Sequence, residues 1–148
     1  MVLSPLCWEE RLATGCTHKA RVTYADLTTV NAVHVQAIYP DSGNCAVPMI
    51  VGRVMTRLVT AFDFSDAGIT SLTMSIGDGG GATRFISAQQ LAADGTPVYS
   101  AATNTAYVYT AADTIDATFT ASGGATPLCS EATSGVVDVY LQLMNLPA

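Results

Sequence analysis

Apolar and polar residues alternate with period two along most of the chain, Gly, Asn, Asp and Ser cluster between the alternating stretches, and Thr, Ser and small apolar residues stand where Leu, Glu and Lys are usual. Together these predict an all-β protein, a single β-sandwich or jelly-roll-like domain. A half-buried strand shows one face to the core and one to water, and β-branched residues suit a pleated surface. At 148 residues the chain is long enough for one domain with a sizeable core. The alternation starts at Arg21, so residues 1–20 are read as an N-terminal arm and residues 21–148 as the sandwich.

The arm carries the single Trp, Trp8, with Glu9, Glu10 and Arg11, and Ser4-Pro5 suits the start of one short helical turn, Ser as cap and Pro in the first turn. Val22 and Tyr24 then alternate with Arg21 and Thr23, and Val33, Val35 and Ala37 with His34 and Gln36. This gives two half-buried strands and sets His34 on a polar face. Pro40-Asp41-Ser42-Gly43-Asn44 is a turn, and Ile50 to Phe64 is a long strand bulged near Gly52. After a turn at residues 64–68, Leu72, Met74 and Ile76 form the inward face of a further strand, which stops at Gly77-Asp78-Gly79-Gly80-Gly81. Arg84-Phe85-Ile86 is extended, and Ser87-Ala88-Gln89-Gln90-Leu91-Ala92-Ala93 joins good helix formers to a capping Ser and is read as a helix. Tyr107 to Tyr109, then Ile115, Ala117, Phe119 and Ala121, and finally Val137, Val139, Leu141 and Leu143 in the run 136–146 complete about eight strands without an internal repeat.

Charged residues make up 12% of the chain and hydrophobic ones 49%, with a mean hydropathy of +0.34. Such a composition excludes disorder for most of the chain. Every apolar stretch is cut by polar residues well before the roughly 20 a membrane span needs. A net charge of −6 and a pI near 4.5 repel a phosphate backbone, so no nucleic-acid partner is expected. Cys7, Cys16, Cys45 and Cys129 show no C-x-x-C spacing and no neighbouring His pair, which speaks against zinc and for reduced, mostly buried thiols. The first residues lack the basic and apolar regions of a secretory signal, so the chain is expected to stay in the cytoplasm that makes it.

The residues that offer chemistry do so weakly. The Gly-rich loop at 77–81 lacks a following Lys-Ser or Lys-Thr and carries Asp78 at its mouth, so a tight turn requiring positive φ is a simpler reading than a phosphate cradle. Asp63, Asp66 and Asp78 fall near strand ends, but their spacing fits no calcium loop. His18 and His34 are the only histidines, no Gly-x-Ser-x-Gly elbow occurs, and Glu9, Glu10 and Glu131 sit in the arm or a loop. No catalytic residue, metal or cofactor is therefore assigned. Tyr107 and Tyr109 share one strand face, with Tyr140 opposite Leu141, and such aromatics suit a subunit interface more readily than a sugar platform.

Five segments, taken in order, are similar to small structural proteins of tailed bacteriophages. They are Tyr24-Ala25-Asp26-Leu27-Thr28, Thr60-Ala61-Phe62-Asp63, Ile76-Gly77-Asp78-Gly79-Gly80 followed by Arg84-Phe85, Tyr109-Thr110-Ala111-Ala112-Asp113-Thr114, and Val137-Asp138-Val139-Tyr140-Leu141-Gln142-Leu143. The resemblance covers residues 24–146 and not the arm with Cys7, Trp8 and Cys16 or the loop around Cys45. It implies a β-sandwich virion component and, within that group, a capsid decoration (cement) protein. A homotrimer on the capsid surface with the major capsid protein as partner would follow, without enzymatic activity. Tail or head–tail accessory proteins are the alternative within the virion, and a carbohydrate-binding host-attachment module is the alternative outside that class. A chain with too few charges to cover its surface is suited to association, and Leu6, Trp8 and Leu12 of the arm, with Tyr107 and Tyr109, are the expected contact residues.

Overall fold

The computed structural model describes residues 1–40, 48–92 and 94–145. Nine strands are described: β1 (Val2–Pro5), β2 (His18–Thr23), β3 (Val33–Tyr39), β4 (Met49–Phe64), β5 (Ser71–Asp78), β6 (Gly81–Gln90), β7 (Ser100–Tyr109), β8 (Ile115–Ser122) and β9 (Ala132–Asn145), with one α-helix, α1 (Trp8–Thr14). They form two antiparallel sheets, one ordered β1-β2-β9-β4-β7 and the other β3-β8-β5-β6. The protein is an all-β sandwich.

The alternation seen in the sequence sets most of the inner faces. Ala20 and Val22 of β2, Val137, Val139 and Leu141 of β9, and Val51, Val54 and Leu58 of β4 turn inward from one sheet, against Leu72, Met74 and Ile76 of β5 and Ile115, Ala117 and Phe119 of β8 from the other. Phe62 and Phe119 meet at the centre, their rings 6.3 Å apart. Each buried Val, Leu, Ile, Met or Phe among them contributes on the order of 1.5–3 kcal/mol, which offsets the cost of ordering the chain. The expected bulge in the long strand is present: Val51 pairs with Leu143 and Arg53 with Gln142, so Gly52 is the extra residue. A Cβ at Gly52 would lie 2.5 Å from Gln142 Oε1.

Several expectations are corrected. Residues 87–90 are not helical; they continue β6, with Gln89 opposite Met74 and Gln90 opposite Thr73. Pairing to β5 outweighs the helix propensity of Ala and Gln, a preference worth only tenths of a kcal/mol per residue. In β3 the faces are reversed: His34 is buried opposite Phe119, while Val33 and Val35 are exposed. The inward Phe119 of β8 decides which residues of its edge neighbour face the core. The turn between β5 and β6 uses no positive φ, and Gly77 is needed for space: a Cβ there would collide with the backbone of Gly81 and Ala82. Tyr24 lies in a 3-10 turn, Tyr24–Asp26, rather than in β2, and is exposed. Ser4 and Pro5 belong to β1, and α1 begins after Cys7, whose side chain makes no cap. The predicted turn at residues 40–44 lies, beyond Pro40, outside the described residues, as do Cys45, Ala93 and the end of the run 136–146.

Residues 1–20 are tied into the sandwich. β1 pairs with β2 from Val2 opposite Arg21 to Pro5 opposite His18, and β2 pairs with β9. The Met1 ammonium meets the Asp26 carboxylate, which also accepts from the backbone and hydroxyl of Thr23. Burial alone would raise the Asp26 carboxyl, but these donors outweigh it and hold it below its ordinary value.

Candidate interaction surface

The outer face of the five-stranded sheet is built by period two. Where Ala20 and Val22 face the core, Lys19 and Arg21 face outward; where Val54 and Leu58 face the core, Met55 and Arg57 face outward; and Asp138 and Tyr140 alternate with Val137, Val139 and Leu141. The rows align across strands, Lys19–Tyr140–Met55 and Arg21–Asp138–Arg57. Asp138 is almost wholly covered and accepts two bonds from Arg21, at 2.7 and 2.9 Å. These bonds hold the Arg21 guanidinium above its ordinary value.

Helix α1 lies over this face. Leu6 and Cys16, which flank it, are buried against Tyr140 with Met55 beside them. Burial pushes the Cys16 thiol up. The helix is otherwise attached by polar contacts: Arg11 Nε donates to Leu6 O (2.9 Å), Lys19 Nζ to Glu10 Oε1 (3.4 Å) and Arg53 Nη1 to Thr14 O (3.2 Å). Gly15, at φ 69°, closes its C-terminus by donating to Arg11 O. None of its seven residues is buried, and it is shorter than the roughly 12–15 residues at which an isolated helix holds in water. Trp8 and Leu12, four residues apart on one helical face, are each 69% exposed.

Of the expected contact residues, therefore, Trp8 and Leu12 are presented to solvent and Leu6 is spent inside the protein, where it seats the helix. Tyr107 and Tyr109 do share a face of β7, but it is the inner one. Their rings meet edge-on at 4.9 Å, Phe85 meets Tyr107 at 6.0 Å, and Arg84 lies over the Tyr107 ring at 4.2 Å. The Tyr109 hydroxyl donates to Asp78 Oδ2 (2.8 Å), Arg84 Nε donates to the same oxygen (2.6 Å), and Gly80 N donates to Oδ1 (3.0 Å). Burial would raise the Asp78 carboxyl, yet the bonds from Arg84 and Tyr109 hold it below its ordinary value. This clamp between the sheets escaped the sequence reading. Its signal was an Asp ending one strand and an Arg opening the next across a Gly-rich turn.

Asp63 and Asp66 lie at one end of the sandwich and Asp78 at the other, and among the described residues no three His, Cys, Asp or Glu come together as for a metal. Cys7 is exposed and Cys129 buried, both as free thiols. No cavity opens among the described residues, and no helix there is long and apolar enough to cross a membrane.

No protein-family model and no curated protein matches the chain. Among solved structures, a chain of the cyanophage Pam1 capsid asymmetric unit is similar over 87% of this chain and 82% of its own, with a TM-score of 0.56 and 24% sequence identity. At that identity the likeness is one of fold: both chains share the arrangement of the sandwich.

Proposed function

We propose that this protein is a structural component of a phage virion, and more finely a capsid decoration protein that binds the assembled shell from outside. The observation that carries the reading is the likeness of fold, over 87% of the chain, to a chain of a cyanophage capsid asymmetric unit. Trp8 and Leu12 support it, being large apolar side chains exposed on a helix that buries none of its own residues. The role needs no catalytic chemistry. A protein that binds the lattice and not its separated subunits lowers the free energy of the lattice by mass action. The major capsid protein is the proposed partner, and a trimer the proposed working form. The glycan-binding alternative gains nothing here, since Tyr109 is buried and Tyr107 is capped by Arg84.

The test is quantitative mass spectrometry of purified particles. Copies on the order of hundreds per particle are expected, against about six or twelve for a tail or head–tail protein, and absence from particles would sink the virion reading. Replacing Trp8 and Leu12 together by Ala should cut occupancy about tenfold while leaving the unfolding midpoint of the free protein unchanged, because neither side chain packs in the core. Undiminished occupancy would remove α1 from the contact.

A further inference from the structure

The six basic residues are unevenly placed. Lys19, Arg21, Arg53 and Arg57 lie on the outer face of the five-stranded sheet, and Arg11 lies on the helix above it. The acidic groups there are Glu9, Glu10 and Asp138, so positive charge is in excess on one face of a chain whose net charge is −6. Lys19 takes Glu10 and Arg21 takes Asp138. Arg11 and Arg57, both exposed, have no carboxylate partner among the described residues. The remaining basic residue, Arg84, is committed to Asp78.

The end of the sandwich where β4 leaves for β5 has the opposite character. Asp63 is next to last in β4, Asp66 follows in the turn, and Glu131 ends the 3-10 turn Cys129–Glu131. Ser65 N donates to Glu131 O at 2.9 Å and joins the two segments. No Lys or Arg occurs in residues 58–83 or 85–148. Asp63 and Asp66 accept only from the backbone, at Phe64 N and Gly68 N, and Glu131 Oε2 is shielded from water without a hydrogen-bond donor. Arginines without a carboxylate partner and the carboxylates of Asp63 and Asp66, which no Lys or Arg pairs, therefore sit on different surfaces of one molecule.

We infer that copies of this chain associate head-to-tail, the basic sheet face around Arg57 of one copy resting on the acidic end of the next. A two-fold contact through either patch would set like charges against each other, whereas the heterologous contact pairs opposite ones. A heterologous contact of this kind closes into a ring where its rotation allows and otherwise extends as a filament. This contact rests on the self-association already proposed as the working form and names the surfaces that would carry it; it is tested on the isolated protein.

Sedimentation equilibrium on the full chain, over a range of salt and protein concentrations, tests it. The expected result is an oligomer that dissociates as salt rises. Arg57→Glu should weaken association about tenfold, Asp63→Lys with Asp66→Lys should do the same, and the three changes combined should restore it to within about threefold of the starting protein. Near-ultraviolet circular dichroism confirms that each variant is folded. A chain that stays monomeric throughout, an oligomer indifferent to salt and to both sets of changes, or a combined variant no tighter than the single sets would each overturn the inference. Particle occupancy is read separately, so either proposal can fail while the other stands.

Discussion

A carboxylate shut between two sheets needs donors, and Asp78 has three, one of them from the opposite sheet. The Tyr109 hydroxyl is the link that crosses the sandwich, while Arg84 and Gly80 belong to the same hairpin as Asp78. Tyr109→Phe keeps the ring edge-on to Tyr107 and removes that bond. It should lower stability by about 2 kcal/mol, the range for a hydrogen bond to a charged group, as read from urea denaturation. A loss below about 0.5 kcal/mol would mean that Arg84 and Gly80 suffice. The sequence shows that Tyr107 and Tyr109 share a face, because the period is two. It does not show which face, since β7 is uncharged throughout and small or polar residues line both its sides.

Strand β6 shows how an element overrides the preferences of its residues. The run Ser-Ala-Gln-Gln-Leu-Ala favours a helix locally, but Gln89 is buried, donating to Val98 O at 2.6 Å and accepting from the Thr56 hydroxyl of the other sheet. Extended pairing is what brings it there. The conflict surfaces at Ala88, which sits at φ 47° where the register with β5 shifts and Ser75 Oγ accepts from its backbone N–H. A side chain in that region costs on the order of 1 kcal/mol, and Ala88 is exposed, so Ala88→Gly should stabilise the protein by about 1 kcal/mol in chemical denaturation. Ala88→Val should do the reverse. Strands β4, β5, β8 and β9 were legible because each pairs on both sides and keeps one apolar face. The edge strands were not: β1 is four residues long and includes Pro5, and β3 carries its valines outward. Of the interaction surface, Trp8 and Leu12 were legible as large apolar residues outside the alternating pattern. The strip of basic residues was written in the spacing Lys19, Arg21 and Arg53, Arg57, but becomes one face only once β9 is known to lie between β2 and β4.

The whole molecule should lose stability in acid in two stages. Burial holds both histidines below their ordinary value of 6.5, His18 with help from Arg11 and His34 against Gln36 and Asp26. The unfolded chain therefore takes up protons first, and stability falls as pH drops below 6.5 toward the folded values. Asp26 and Asp78, depressed from 3.8, contribute stability that is complete above 3.8 and lost as pH falls through their lower folded values. Asp116, raised by burial and by Asp113 and Asp78, works in the opposite sense and regains stability on protonation above 3.8. Urea midpoints measured from pH 7 to 5 should decline, and replacing both histidines by Gln should flatten that stretch; a flat profile in the parent protein would contradict the assignment. The charge-poor composition is absorbed in part by the two inner faces, and the charges that remain are sorted by sign over the surface. The position of β9 has a kinetic consequence. It lies between β2 and β4, so a ribosome delivers eight strands before the one that joins the two halves of the five-stranded sheet. Until then β2 and β4 expose open edges and apolar faces. Folding should wait on the last strand, and the nascent chain should depend on protection from aggregation until it arrives.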